Sequence, residues 1–233
     1  MSTPTVTRPL PTPELPPRRS PGWLEFVLTP VGLLAFDVVV GLGLHAAGWG
    51  ENLLVVLLGT VLGTFALVGL LLALRVRSLE PLRLHLPAVR WIVAGAAAGV
   101  GLRLLCFPLG LAWQALTGDT TNPQQFLFDA VTAGGWSLVI MLLLAGLAVP
   151  LAEEMLYRGV AYSALRRYGP VAAALGSSAV FGLLHMAPVV IVVAFLLGLV
   201  NAVLVERTGS LWPAVASHVV FNLSALVLAA TLF

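Results

Sequence analysis

The feature that most constrains this chain is a series of apolar runs, each about twenty residues long and nearly free of charge. Coiled as a helix at ~1.5 Å per residue, such a run covers a hydrocarbon core of ~30 Å. Composition supports that reading. Of 233 residues, 59% are hydrophobic and only 9% are charged, against roughly 25% charged in an ordinary soluble domain. So few charges could not screen so much apolar surface from water. This excludes a soluble globular enzyme, a disordered chain and a nucleic-acid binder. A β-barrel is excluded as well, because its strands alternate apolar and polar residues. The expected fold class is all-α: a polytopic transmembrane helix bundle whose partner is the lipid bilayer.

Seven apolar segments are each long enough to cross, or nearly cross, the hydrocarbon core, at about 23–45, 52–74, 91–116, 134–165, 170–187, 189–205 and 211–233. The fifth and sixth are the shortest and meet at His185-Met186-Ala187-Pro188, which leaves almost no loop. That turn is expected inside the protein, where irregular backbone can line a cavity. Residues 1–21 hold seven of the sixteen prolines, with Arg8, Arg18 and Arg19. They read as a disordered cytoplasmic tail. Residues 22–233 read as a single transmembrane helical domain. The lone Cys106 excludes an intrachain disulfide.

The arginines set an expected orientation. Eleven of the twelve basic residues, every one an Arg, fall in the tail, the 75–90 connection, the 158–167 region or at Arg207; the twelfth is Arg103. The alternate connections, 46–51 and 117–133, carry no Arg but hold Glu51, Asp119 and Asp129. The N-terminus should therefore face the cytoplasm, with the protein in the cell membrane.

An ionisable group at the centre of a span costs roughly 2.5–3.5 kcal/mol on insertion scales. The groups retained there are therefore informative: Asp37, Arg103, Glu153, Glu154, Arg158, His185 and His218. Pro150 precedes the two glutamates and should kink the helix at the Gly146 carbonyl. Glu154 and Arg158 are four apart, with the acid first, the favourable order for an ion pair. Glu153 is turned about 100° away and is left available. Phe181 and His185 share a helical face, as do His218 and Asn222. Counted from the cytoplasmic boundary, Glu153, His185, His218 and Asn222 lie roughly 20, 22, 12 and 18 Å deep. A carboxylate, two imidazoles and a carboxamide at one layer form a hydrolytic set: Glu can take a proton from water, and His and Asn can donate to an oxyanion. The same side chains could instead bind zinc, although the His-Glu-x-x-His pattern of common zinc proteases is absent.

Three motifs, Glu153-Glu154-x-x-x-Arg158, Phe181-x-x-x-His185 and His218-x-x-x-Asn222, occur in this order within 150–225. In this they resemble the CAAX protease and bacteriocin-processing family of intramembrane proteases, which includes the Ras-converting CAAX endopeptidase. The stretch from Glu206 to Ala214 is similar as well. The resemblance implies an endopeptidase acting on a peptide or protein substrate, prenylated or membrane-associated, near a CAAX-like C-terminus. It implies that Glu153 is the base, that Glu154 and Arg158 support it, that His185 assists the water, and that His218 and Asn222 stabilise the oxyanion. Members are often described as metalloproteases. Zinc or another divalent metal on Glu153, His185 and His218, and a metal-free activated water, both remain open.

Asp37 and Arg103 fall outside these motifs at similar depth. They are expected to pair across segments one and three; the alternative is that Arg103 meets a substrate carboxylate. Two other functional classes use the same residues differently: a non-enzymatic immunity or scaffold protein, and a proton-coupled transporter.

Overall fold

The computed structural model describes residues 20–50 and 52–232. The expected disordered tail lies outside the described residues, apart from Ser20 and Pro21. Eight helices follow: α1 (Trp23–Ala46), α2 (Leu53–Val76), α3 (Val89–Thr117), α4 (Gln125–Thr132), α5 (Gly135–Tyr168), α6 (Pro170–Leu183), α7 (Pro188–Thr208) and α8 (Trp212–Leu232). Six of them are long and apolar enough to cross a membrane, so the chain is a multi-pass helical membrane protein. Of the seven segments expected to cross or nearly cross, α6 is the one that falls short of a full span. Its 14 residues reach ~21 Å, short of the hydrocarbon core. The chain turns at Leu184–Ala187 and restarts at Pro188, which is well placed in a first helical turn. The turn is only partly interior: His185 lines a cavity, but Met186 is exposed.

The helices pair through small residues, as expected where lipid removes most of the hydrophobic drive. In the antiparallel α1–α2 hairpin, a Cβ on Gly63 would strike the Phe36 ring, and one on Gly59 would strike Val40. Asn52 opens α2 by accepting the Val55 N–H through Oδ1 at 3.2 Å. Parallel helices α3 and α8 approach more closely still. A Cβ on Gly95 or Gly99 would collide with the carbonyl oxygens of Pro213 and Ser217.

The arginine-bearing connection after α2 is docked onto the α7–α8 turn. Leu211 N donates to Arg83 O at 3.0 Å, and Ser210 Oγ donates to His85 O at 2.7 Å. On the opposite connection, Asp119 Oδ1 accepts from the Thr121 hydroxyl at 2.7 Å and from its N–H at 2.9 Å. These bonds hold its carboxyl below the usual range.

Helix α5 contains two π-helical stretches, Leu144–Ala148 and Met155–Ala161, on either side of Pro150 and the glutamates. The disturbance expected from Pro150 thus takes the form of a widened turn before it. Val149 N–H bonds back to Leu144 O, five residues earlier. In that register the Ala145 carbonyl would need a donor from residue 150, where proline has none. Asn222 Nδ2, from α8, donates to it at 2.9 Å.

Candidate active site

The adjacent glutamates have opposite fates because helix geometry turns them apart. Glu154 is fully buried. Its Oε2 lies 3.3 Å from Arg158 Nε, the expected pair. Its Oε1 takes two hydrogen bonds at 2.9 Å, one from His218 Nδ1 and one from Asn201 Nδ2. Glu153 keeps 22% of its side chain exposed, and its Oε2 lies 3.6 Å from His218 Nε2. That distance is too long for a hydrogen bond. His218 is therefore held between two carboxylates, bonded to one and facing the other.

For the neutral form of each histidine, partner chemistry fixes the tautomer. A carboxylate only accepts, so His218 Nδ1 carries the proton bonded to Glu154, and Nε2 presents a lone pair towards Glu153. His185 Nδ1 is 2.8 Å from Phe181 O, a carbonyl at the C-terminal end of α6 that also only accepts. His185 Nε2 is then left as an acceptor. Phe181 is a buried aromatic hub: its ring centroid is 4.9 Å from those of Tyr157 and His185 and 5.7 Å from that of His218. The Arg158 guanidinium sits 4.7 Å from the same centroid, a favourable cation–π position.

A cavity of about 280 Å³ receives Glu153, His185, His218 and Asn222, and also Arg103 and Cys106. The four residues expected at one depth thus line one space. Glu154 and Arg158 lie behind its wall. Asn222 has committed one N–H to Ala145 O and retains a second. For a metal, the residues would have to converge at ~2 Å from one ion. Among the described residues, no group of three His, Cys, Asp or Glu side chains does so. His185 and His218 each hold their Nδ1 on another partner, and of the two only His218 comes within 4 Å of a Glu153 oxygen.

Three residues depart from what the sequence led one to expect: Asn201, Asp37 and Arg103. Asn201 was not singled out, although it is the only polar side chain between Pro188 and Val205. The Asp37–Arg103 pair does not form. Arg103 Nη2 donates to Phe221 O at 2.8 Å, and its Cζ lies 4.0 Å from the Phe221 ring centroid. Asp37 instead faces α2 near Thr60. Similar depth did not imply contact, because α3 packs on α8 while α1 packs on α2.

Fold and site together define a helical membrane protein with a carboxylate–imidazole centre buried in its bundle. Residues 135–224 match the family model described as Rce1-like, type II CAAX prenyl endopeptidase Rce1-like. This bears out the CAAX-protease resemblance over a segment that contains all three motifs. It also supports the general class of CAAX-type intramembrane protease. The segment containing α1–α4 lies outside the match. No curated protein and no solved structure matches the chain.

Proposed function

We propose that this protein is an intramembrane endopeptidase in which Glu153 activates water directly. The observation that carries this reading is His218 held between Glu154 and Glu153, at 2.9 and 3.6 Å. A water in the cavity gives one hydrogen to the Glu153 carboxylate and one to His185 Nε2. Its lone pair then faces the scissile carbonyl. As the C–O bond forms, Glu153 takes the proton and the carbonyl oxygen becomes an oxyanion. The free N–H of Asn222 donates to that oxygen. His218 Nε2, an acceptor in this tautomer, shares the proton held by Glu153. When the C–N bond breaks, that proton passes to the leaving amine; the new carboxyl group keeps the second proton of the water and then gives it up to solvent, leaving a carboxylate and an amine. His218 is thus a partner of the base, rather than the oxyanion donor that the resemblance implies.

Glu154, Arg158 and Asn201 act through His218. They fix its tautomer and ring position without touching substrate. The substrate is a membrane-associated peptide or protein, prenylated or not, cut near a CAAX-like C-terminus. The arginine distribution supports a cytoplasmic N-terminus in the cell membrane. The test is cleavage of a peptide panel by purified wild-type protein and Glu153→Gln, each with and without chelator. Glu153-dependent, chelator-resistant cleavage is expected. Loss of activity with chelator and recovery with zinc would replace this mechanism by a metal-bound one. Absence of any Glu153-dependent cleavage would favour the non-enzymatic scaffold or immunity reading.

A further inference from the structure

Arg103 poses a problem of charge that the proposed chemistry leaves unsolved. A guanidinium remains protonated in a protein, and in a membrane it requires compensation. The other arginines of the bundle with assigned ion pairs meet carboxylates: Arg75 meets Glu25, Arg158 meets Glu154 and Arg166 meets Glu206. Among the described residues, no acidic side chain forms such a pair with Arg103. Its partners are a neutral carbonyl and an aromatic face, and its Nε is buried without a hydrogen bond.

The packing of α3 on α8 explains how the guanidinium reaches this place. Gly95, Gly99 and Arg103 follow at four-residue steps on one face of α3. They meet the carbonyls of Pro213, Ser217 and Phe221, also four apart, on α8. The first two steps leave no room for a side chain. At the third, the arginine lies over Phe221 and forms part of the wall of the cavity that holds Glu153 and His218.

We infer that Arg103 binds the free C-terminal carboxylate of the peptide substrate, and so ties the cut to the end of the chain. The inference rests on the proposed peptide hydrolysis and assigns a recognition group to the same cavity. A carboxylate supplies the missing negative charge, and its two oxygens match the planar fork of a guanidinium. His218 and Phe221 are one helical turn apart on α8, ~4.5 Å along the axis. An extended peptide advances ~3.3–3.6 Å per residue. A terminus held at Arg103 therefore places the bond at Glu153 only a few residues from the end, and the fragment released is short.

The experiment compares membrane-associated peptides that are identical except for a free acid, a carboxamide or a methyl ester at the C-terminus. Wild-type protein and Arg103→Gln are assayed in detergent, with Glu153→Gln as the blank. Wild type should cleave the acid with a kcat/KM about tenfold or more above the amide and the ester. The difference should lie mainly in KM. In Arg103→Gln the acid-to-amide ratio should fall towards one, and Arg103→Lys should recover part of it. Should Arg103→Gln fail to fold, Arg103→Lys decides: its acid-to-amide ratio should fall below that of wild type, and an unchanged ratio would overturn the assignment. Glu153-dependent cleavage that is indifferent to the terminus would overturn this inference and leave the proposed function standing. No Glu153-dependent cleavage of any peptide would remove both.

Discussion

The α1–α2 hairpin and the α5–α8 portion of the bundle solve the membrane problem in opposite ways. The hairpin is held by shape: Phe36 over Gly63, Val40 over Gly59, and an Arg75–Glu25 pair at one end. Its one deep acid, Asp37, has a buried Oδ1 without a hydrogen-bond partner. The α5–α8 portion is held by shape and also by chemistry. There Glu154 engages Arg158, His218 and Asn201, residues drawn from three helices. Where only packing is required, small residues suffice. Where an ionised group must stay at fixed geometry in a low-dielectric interior, several partners must converge on it. The difference separates a part that presents surface to lipid from one that holds a reactive centre.

The largest expected effect is on chemistry. Glu153→Gln should reduce cleavage by about 10²–10⁴-fold while the thermal melting profile is little changed, since Glu153 faces a cavity and makes no buried hydrogen bond. Full activity in this variant would end the functional half of the comparison. Next comes the fully buried neighbour. Glu154→Ala removes one side of a buried pair and should cost about 3–5 kcal/mol, read as a large drop in melting temperature in detergent. A mild loss, similar to that of Glu25→Ala at the hairpin end, would show that the two parts are less different than their geometry indicates.

Smaller effects refine the contrast. Asn222→Ala would leave the Ala145 carbonyl without its donor, at about 1–3 kcal/mol. Gly63→Leu would overpack the hairpin at a similar ~1–3 kcal/mol, and its effect should be on stability alone, with kcat of the folded fraction retained. Smallest is the coupling between Asp37→Asn and Arg103→Ala. The two side chains do not meet, so the double variant should equal the sum of the singles within about 0.5 kcal/mol. A larger coupling in detergent melting would restore the direct pair expected from depth alone.

Much of the candidate site was legible in the sequence because its residues recur at helical spacing. Glu154 and Arg158, Phe181 and His185, and His218 and Asn222 are each four apart, so each pair shares a face whatever the tertiary fold. Counting depth then brought Glu153, His185, His218 and Asn222 to one layer. Asn201 escaped because a single carboxamide has no spacing partner, and only the approach of α7 to α5 reveals its bond to Glu154. The same limit misled the pairing of Asp37 with Arg103. Depth specifies one coordinate, while contact requires the two lateral ones.

The sequence by itself determined the class of structure: long apolar runs leave helices that satisfy their own backbone as the available solution in lipid. It also determined which groups are too costly to be incidental. Tertiary structure decided the rest. It showed that α6 falls short of a full span, that the strain of Pro150 is relieved by a π turn and by Asn222, and that His218 joins the two glutamates. It also placed Arg103 in the wall of the reaction cavity. These outcomes depend on which helices lie side by side. That choice is made by close packing at positions such as Gly95 and Gly99, whose effect appears only when the facing backbone is in place.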